Sequence, residues 1–576
     1  MKSRIFAMAI LMAVTAGPGS AGPAGARERR AGMDTGDPRG MIGQLRGTRA
    51  ENRSETAPPR KGKCGLALAF QILESWNSLP ENEKGPLRAL MTAPSTQTDR
   101  TIGRVHIYYD TTGSDAPALL DAGGHRLPGT AEAYVDSVGR ILNHVWSFEI
   151  DNLGYSAPPL GADSAYPVWI LNLSPGLYGQ TIPDPVPISP GPPPRFGTHI
   201  EVDNDFQEPQ YFSRGISGLE VTLAHEFHHA IQLGGYGFWG DQERYFYEIT
   251  STWMEDVVYT GVNDYYQYLS NNQFQTSQFS TPDVRFTKSD QSIEYSRAVW
   301  GKFLEKRFSR AAMRRTWEWM RQYRTLESLD RALAESGASL RSAALEYAYW
   351  NLNTGPAADT SRYYSEGRNY PAMRISSTDD YLPPESSVVD SIQAISSTYH
   401  RICILASPGD TCGSRNSMFV IVSNVNVALG YFDQTYPFTY TLSASAAGGA
   451  RLLNNGLYAS LAVPDPEFWS TQETSPSVIA EIMVFPNPYQ AREGRLLWFR
   501  LPSPPQATRA MLSVFSSGMR RVFSGELPVL AFRPQEPALS WDGRTDAGEA
   551  IATGVYFFVI SVDDKEFIGK FSAIRN

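Results

Sequence analysis

The chain has 576 residues, too many for one hydrophobic core, so several units are expected. Hydrophobic residues make up 42% and charged residues 19%, an ordinary globular composition. A net charge of -9 offers no basic surface, which argues against nucleic acid or an anionic membrane as partner.

Lys2 and Arg4 precede an apolar run from Ile5 to about Ala16, and Ala24-Gly25-Ala26 follows as an A-x-A site. The run falls short of the ~20 apolar residues a membrane helix requires, so residues 1–26 read as a cleavable signal peptide. No later stretch reaches that length either. A secreted or cell-surface protein without a membrane span is therefore expected. Residues 27–63 are charged and rich in Gly, Pro, Ser and Thr, the composition of a disordered leader. Residues 64–100 contain two short helical stretches, GLALAFQILESWNSL and GPLRALM, which in an exported protease can serve as a pro-region.

Residues 101–370 read as one α+β domain. VHIYYD (Val105 to Asp110), VWILNL (Val168 to Leu173) and HIEVDND (His199 to Asp205) are predicted strands, with a helix over Thr130–Phe148. PDPVPISPGPPPRFG is too proline-rich for regular structure and is expected as a surface loop. Further helices are predicted over Glu243–Val258, Tyr295–Phe308 and between Ala311 and Leu352. Residues 371–470 alternate in short segments such as SMFVIVSN, the pattern of a β-sandwich. The polar linker TQETSPS (Thr471 to Ser477) leads to a last β-rich domain, residues 478–576. Of the three cysteines, Cys403 and Cys412 bracket a short loop and can form a disulfide after export. Cys64 is then left over as an inert thiol.

The chemistry concentrates in SGLEVTLAHEFHHAIQLGG, starting at Ser217. Ser217 and Glu220 have the spacing of a capping box, and Gly234-Gly235 that of a helix stop. On the helix between them His225 and His229 are four residues apart, so their imidazoles share one face and can share a Zn2+. Glu226 lies beside that metal position as a base for water. This is H-E-x-x-H. His228 points elsewhere, towards a supporting role or the surface. A third histidine with metzincin spacing would fall at position 235, which is Gly235, so that class is excluded. A carboxylate is the remaining choice, and YFYEITSTWMED supplies Glu248 and Glu255.

With eighteen residues between His229 and Glu248, the sequence resembles the gluzincin group of zinc peptidases, whose aminopeptidase-like members share the pattern H-E-x-x-H-x18-E. The wider arrangement from VHIYYD to WMED looks like a group of predicted secreted bacterial metalloproteases. The resemblance implies a zincin-like catalytic fold with Glu248 as third ligand. Glu255, seven residues on, either orients a histidine or is a solvated carboxylate. In IEYSRAVWGKFLEKRF, Tyr295 corresponds to the tyrosine that donates to the oxyanion in such enzymes; a packing role is the other reading. The strand HIEVDND corresponds to the substrate-pairing edge strand, with Glu201 in place of the G-x-M-E-N signature of aminopeptidases. Endopeptidase activity on protein or peptide substrates is the default that follows. A metal-dependent aminopeptidase is the alternative, and a non-catalytic surface binding protein on the same scaffold is the alternative outside enzymes.

The last domain carries F-P-N-P from Phe485, W-D-G-x-x-x-x-G from Trp541 and G-V-Y-F from Gly554. It resembles the Ig-like fold of flagellar hook-capping proteins and the C-terminal sorting domains of bacterial secreted enzymes. That implies a β-sandwich with Tyr556, Phe558 and Ile560 inside, and a role in secretion or surface attachment.

Overall fold

The structure is a computed structural model. It describes residues 10–15, 63–270, 276–290, 292–381, 385–404, 417–444, 458–464, 483–491, 495–501, 505–516, 521–533, 536–563 and 565–575. The chain is mixed α/β with several sheets and divides into two compact units, Met1–Thr471 and Gln472–Asn576. Most of the expected signal and leader lies outside the described residues. Within the expected signal, Ile10–Thr15 forms a strand antiparallel to Tyr436–Ala444.

The first unit opens with helices α1 (Leu66–Ser75) and α2 (Glu81–Met91). A five-stranded sheet follows, built from β1 (Thr98–Ile102), β2 (Val105–Tyr109), β3 (Tyr166–Leu171), β4 (Gly179–Pro183) and β5 (Thr198–Asp203). Their spatial order is β1-β2-β3-β5-β4. β2, β3 and β5 run parallel, whereas β1 and β4 are antiparallel to their neighbours. Val105, Ile107 and Tyr109 of β2, and Tyr166, Val168 and Ile170 of β3, alternate into the core. Helix α3 (Ala131–Trp146) crosses over between β2 and β3 and buries Tyr134, Val138, Ile141, Leu142 and Val145 at helical spacing.

Helix α4 (Gly215–Ile231) packs against α3, β4, β5 and helix α5 (Arg244–Val258). Its ends differ from expectation. No side chain caps it, and Ser217 and Glu220 already lie inside the helix. The start is set by tertiary contact instead, where the Gly215 amide donates to the Phe206 carbonyl at 3.3 Å. Gly234 and Gly235 do not end it either: Gln232–Tyr236 continues as a wider turn that closes at Gly237, φ 104.

A second correction concerns the sheet edge. Thr198–Asp203, expected at the edge, lies between β3 and β4 with Glu201 opposite Gln180. The edge is β4, whose sequence GQTIP has no apolar alternation and stands just ahead of the proline-rich segment. All five of its residues are buried, so no polar face marks it as a strand.

Helices α6 (Ile293–Ser296) and α7 (Ala298–Arg307) take the place of the single helix expected over Tyr295–Phe308. Three more follow, Arg310–Trp319, Thr325–Ala334 and Leu340–Leu352. The strands beyond them form a four-stranded sheet ordered Tyr458–Pro464, Ser417–Asn424, Ser396–Ile404, Ser377–Tyr381, and a three-stranded one containing Glu385–Ile392 and Tyr436–Ala444. This region was expected as a separate domain but belongs to the first unit. Ile395, Tyr399, Phe419 and Ile421 share the core of the helices, and the Tyr399 hydroxyl donates to the Ala348 carbonyl at 2.9 Å. Cys403 is disulfide-bonded and Cys64 is free; Cys412 lies outside the described residues.

The second unit consists of two sheets around one core. Leu497, Phe499, Leu539 and Trp541 come from one sheet, and Leu512, Val514, Tyr556, Phe558, Ile560 and Phe571 from the other. The Tyr489 hydroxyl ties its entry to the Asp542 carbonyl at 2.8 Å.

In the first unit α7 meets α5 at Gly301, where an added Cβ would lie 2.3 Å from Cγ of Trp253. Trp253 is buried on the helix that carries Glu248. Valine at 301 would gain a few tenths of a kcal/mol in helix propensity at most, roughly, against an overpacking cost of about 1–3 kcal/mol. Gly301→Val is therefore expected to lower the thermal midpoint of the first unit, as read by calorimetry; an unchanged midpoint would refute this packing.

Candidate metal centre

Helical spacing places His225 and His229 on one face of α4, and Glu248, Ser251 and Glu255 on one face of α5. The two faces meet. The Nε2 atoms of His225 and His229 stand 3.0 Å apart. Oε2 of Glu248 lies 3.3 Å from the first and 3.5 Å from the second.

The other ring nitrogens determine what these atoms can do. Nδ1 of His225 donates to Oε1 of Glu255 at 2.7 Å. Nδ1 of His229 donates to Oε1 of Gln232 at 2.7 Å, with Ser251 Oγ at 3.0 Å. The Gln232 amide is itself oriented, because its Nε2 donates to the Tyr247 carbonyl at 3.0 Å. With the Nδ1 atoms engaged outward, the two rings turn their Nε2 atoms towards each other. Glu248 Oε2 adds a third acceptor, buried and without a hydrogen-bond partner. Three converging acceptors require a positive charge between them, either a proton or a metal ion. The ionisation tendencies agree. Burial disfavours a charged His225, yet Glu248, Glu255 and Glu226 around it raise its pKa to about 9. Burial likewise works to raise the Glu248 carboxyl, but the two imidazoles hold it well below the usual carboxylate range.

Cys64 completes the group. Its sulfur and the ligand atoms of His225, His229 and Glu248 all lie within 4.8 Å of one another, and all four residues are buried. Tetrahedral zinc, with bonds of about 2.0–2.3 Å, separates its ligand atoms by roughly 3.3–3.8 Å, so the donor set suits that ion. Cys64, expected as a left-over inert thiol, stands in this group. Burial pushes the thiol well up, and the Glu226 and Glu248 carboxylates beside it add to the effect.

Glu226 adjoins the cluster, and its Oε2 accepts from Thr181 Oγ1 of edge strand β4 at 2.7 Å. Tyr295 is buried and stacks on His225 at 6.2 Å between ring centroids and on Tyr268 at 4.8 Å. Glu255 is buried rather than solvated, holding His225 through Oε1 and Lys63 through Oε2 at 2.5 Å. Glu201 contributes no atom to the cluster; it accepts from Gln180 Nε2 at 2.8 Å within the sheet. His228 is not at the surface. It is fully buried, with Nδ1 2.6 Å from Oε2 of Glu149.

Sequence reasoning overlooked Gln232, Ser251, Thr181, Lys63 and Cys64. Gln232 had a signal, since it lies three residues after His229 on the same helical face. Cys64 and Lys63 had none, because only the fold brings them across.

No family model matches the sequence, and no curated protein matches it. Among solved structures, one similar over a short stretch is PorZ, an essential bacterial surface component of the type-IX secretion system of Porphyromonas gingivalis. That likeness has 20% identity and a TM-score of 0.14, and it covers 21% of this chain and 14% of that one. A match so short defines neither fold nor function.

The residues that hold the imidazoles provide a test independent of the ligands themselves. Gln232→Ala keeps every ligand atom in place but leaves the His229 ring held by Ser251 Oγ alone. It is expected to weaken zinc retention about 10–100-fold, measured as the chelator concentration that removes half the metal. Retention equal to wild type would remove Gln232 from the residues that hold the ring.

Proposed function

We propose that the chain is an exported zinc-dependent peptidase, an endopeptidase of the gluzincin type, with a zincin-like catalytic domain. The observation that carries this reading is the meeting of His225 Nε2, His229 Nε2 and the unpartnered Glu248 Oε2, with Glu226 alongside. His225, His229 and Glu248 would hold the ion. When bound, zinc supplies Lewis acidity, easing deprotonation of a water molecule and polarising the scissile carbonyl.

The chain's own groups do the rest. Glu226 accepts a proton from the attacking water and passes it to the departing amine. Thr181 keeps the Glu226 carboxylate oriented from the edge strand. An extended substrate adds to the side of β4 away from β5, which brings a backbone carbonyl past the base. Tyr295, stacked on His225, donates its hydroxyl to the oxygen that becomes negative in the tetrahedral state. Glu255 and Gln232 keep both imidazoles in the ligating tautomer.

Export through residues 1–26 belongs to the same reading, as does attachment or secretion sorting by an Ig-like second unit. No helix among the described residues is long and apolar enough to cross a membrane.

Metal analysis and casein hydrolysis test the assignment together. Glu248→Gln is expected to lose most of its zinc at equal chelator concentration, and unchanged stoichiometry would remove Glu248 from the ligand set. Glu226→Gln should keep the metal but show hydrolysis near zero; substantial residual cleavage would reject it as the base. Tyr295→Phe should lower kcat about 100-fold or more with KM little changed. Wild-type kcat in that variant would leave the tyrosine a packing residue.

A further inference from the structure

The site is closed. His225, Glu226, His229 and Glu248 are each at most 1% exposed, which leaves a substrate no approach. The cover is the chain's own segment 63–91. Leu68, Ile72, Trp76, Leu79, Leu87 and Met91 form a small apolar cluster with Ile182 of β4. Phe70 packs edge-on against Phe238 and Tyr247, and Glu74 accepts from the Asp241 amide at 2.7 Å.

Ahead of α1 the segment follows the edge strand as an added strand would. The Tyr178 amide donates to the Lys63 carbonyl at 2.9 Å, and Cys64 bridges Gly179 in parallel. This is the side of β4 that a substrate would need. Lys63 anchors the residue before the thiol: its ammonium is buried, donating to Glu255 at 2.5 Å and to Asp264 at 2.7 Å. Cys64 then falls among the ligand atoms of His225, His229 and Glu248, where a buried carboxylate oxygen without a hydrogen-bond partner faces the same centre.

We propose that residues 63–91 hold the enzyme latent, with the Cys64 thiolate as fourth ligand to the metal in the position a catalytic water requires. This rests on the peptidase reading above. A three-ligand site keeps one position open for water, and a sulfur there makes it a closed four-ligand site. Release follows when one peptide bond is hydrolysed by another protease between the cover and β1. Residues 92–97 have neither helix nor strand there, and Thr92, Ser95 and Gln97 are exposed. Once cut, the segment is no longer an intramolecular ligand and loses the effective concentration that kept it bound.

Cobalt(II) in place of zinc makes the sulfur visible. The cobalt-loaded full chain is expected to show a near-ultraviolet sulfur-to-cobalt band together with visible d–d bands. Cys64→Ser should keep the visible bands and lose the near-ultraviolet one. Zinc-loaded full chain should hydrolyse casein about 100-fold more slowly than the same protein cleaved within 92–97 and freed of the released segment. Cobalt d–d bands without a sulfur band in the wild type would overturn the switch and leave the metal site standing. Absence of cobalt bands from every form would overturn the metal reading beneath it. A cleaved chain that gains no hydrolysis would make Cys64 a structural ligand and end the latency proposal. Should Cys64→Ser not fold, thiol titration of the native wild type decides. Cys64 is free and Cys403 is disulfide-bonded, so the free thiol is expected to react with a disulfide reagent only after chelation of zinc. Equal rates with and without metal would refute ligation.

Discussion

Two imidazole nitrogens and a carboxylate oxygen are pressed together in the interior. Such a meeting is repulsive unless a proton or a metal ion supplies positive charge at the centre, and burial denies it the relief of water. Everything around it works to keep it. Glu255 and Gln232 hold the outer nitrogens, and the Tyr247 carbonyl fixes the Gln232 amide in turn. Trp253 and Gly301 set how closely α7 approaches the helix that carries Glu248. A polar network of this kind is stable only when every member is satisfied, so its completeness is a structural requirement of the core as well as a chemical one.

The same network extends into the cover. One carboxylate, Glu255, accepts from His225 with one oxygen and from Lys63 with the other. Anchoring the segment and orienting the imidazole are therefore a single electrostatic arrangement. Removing the Lys63 ammonium would leave Glu255 and Asp264 buried with one donor fewer, which explains why a leader segment penetrates this deeply. Apolar contacts from α1 and α2 add the remaining hold on β4.

The rear of the chain follows a different principle. Its strands are held by alternating burial in two sheets around a common core in the second unit, with Phe499, Trp541, Phe558 and Phe571 at the centre. Tyr399 of Ser396–Ile404 and Phe419 and Ile421 of Ser417–Asn424 instead share the core of the first unit's helices. Tyr431 reaches Glu243 at the head of α5 at 2.9 Å, which ties that sheet region to the helix bearing Glu248. Apolar alternation reads the same in both places. What it packs against is not a property of the strand itself.

The legible features are those set by local periodicity. The four-residue spacing of His225 and His229 puts them on one face whatever surrounds them, and the seven-residue step from Glu248 to Glu255 does so on the next helix. The eighteen-residue gap allowed the two helices to be paired before their crossing was seen. The limits of α4 were misread because a contact with Phe206 and a wide turn, rather than local caps, decide them. Strand β4 was missed because complete burial erases the alternation that betrays a strand, and the edge was consequently placed at Glu201. Cys64 could not be placed at all. Its neighbours in sequence carry no metal spacing, and its sulfur reaches the cluster only because the edge strand accepts the segment and Lys63 finds two carboxylates more than 190 positions away. Motif and helix faces were determined by the order of residues alone, since each depends on near neighbours. The closure of the site, the identity of the edge strand and the fourth donor were decided by tertiary structure, because they depend on long-range contacts that no local pattern encodes.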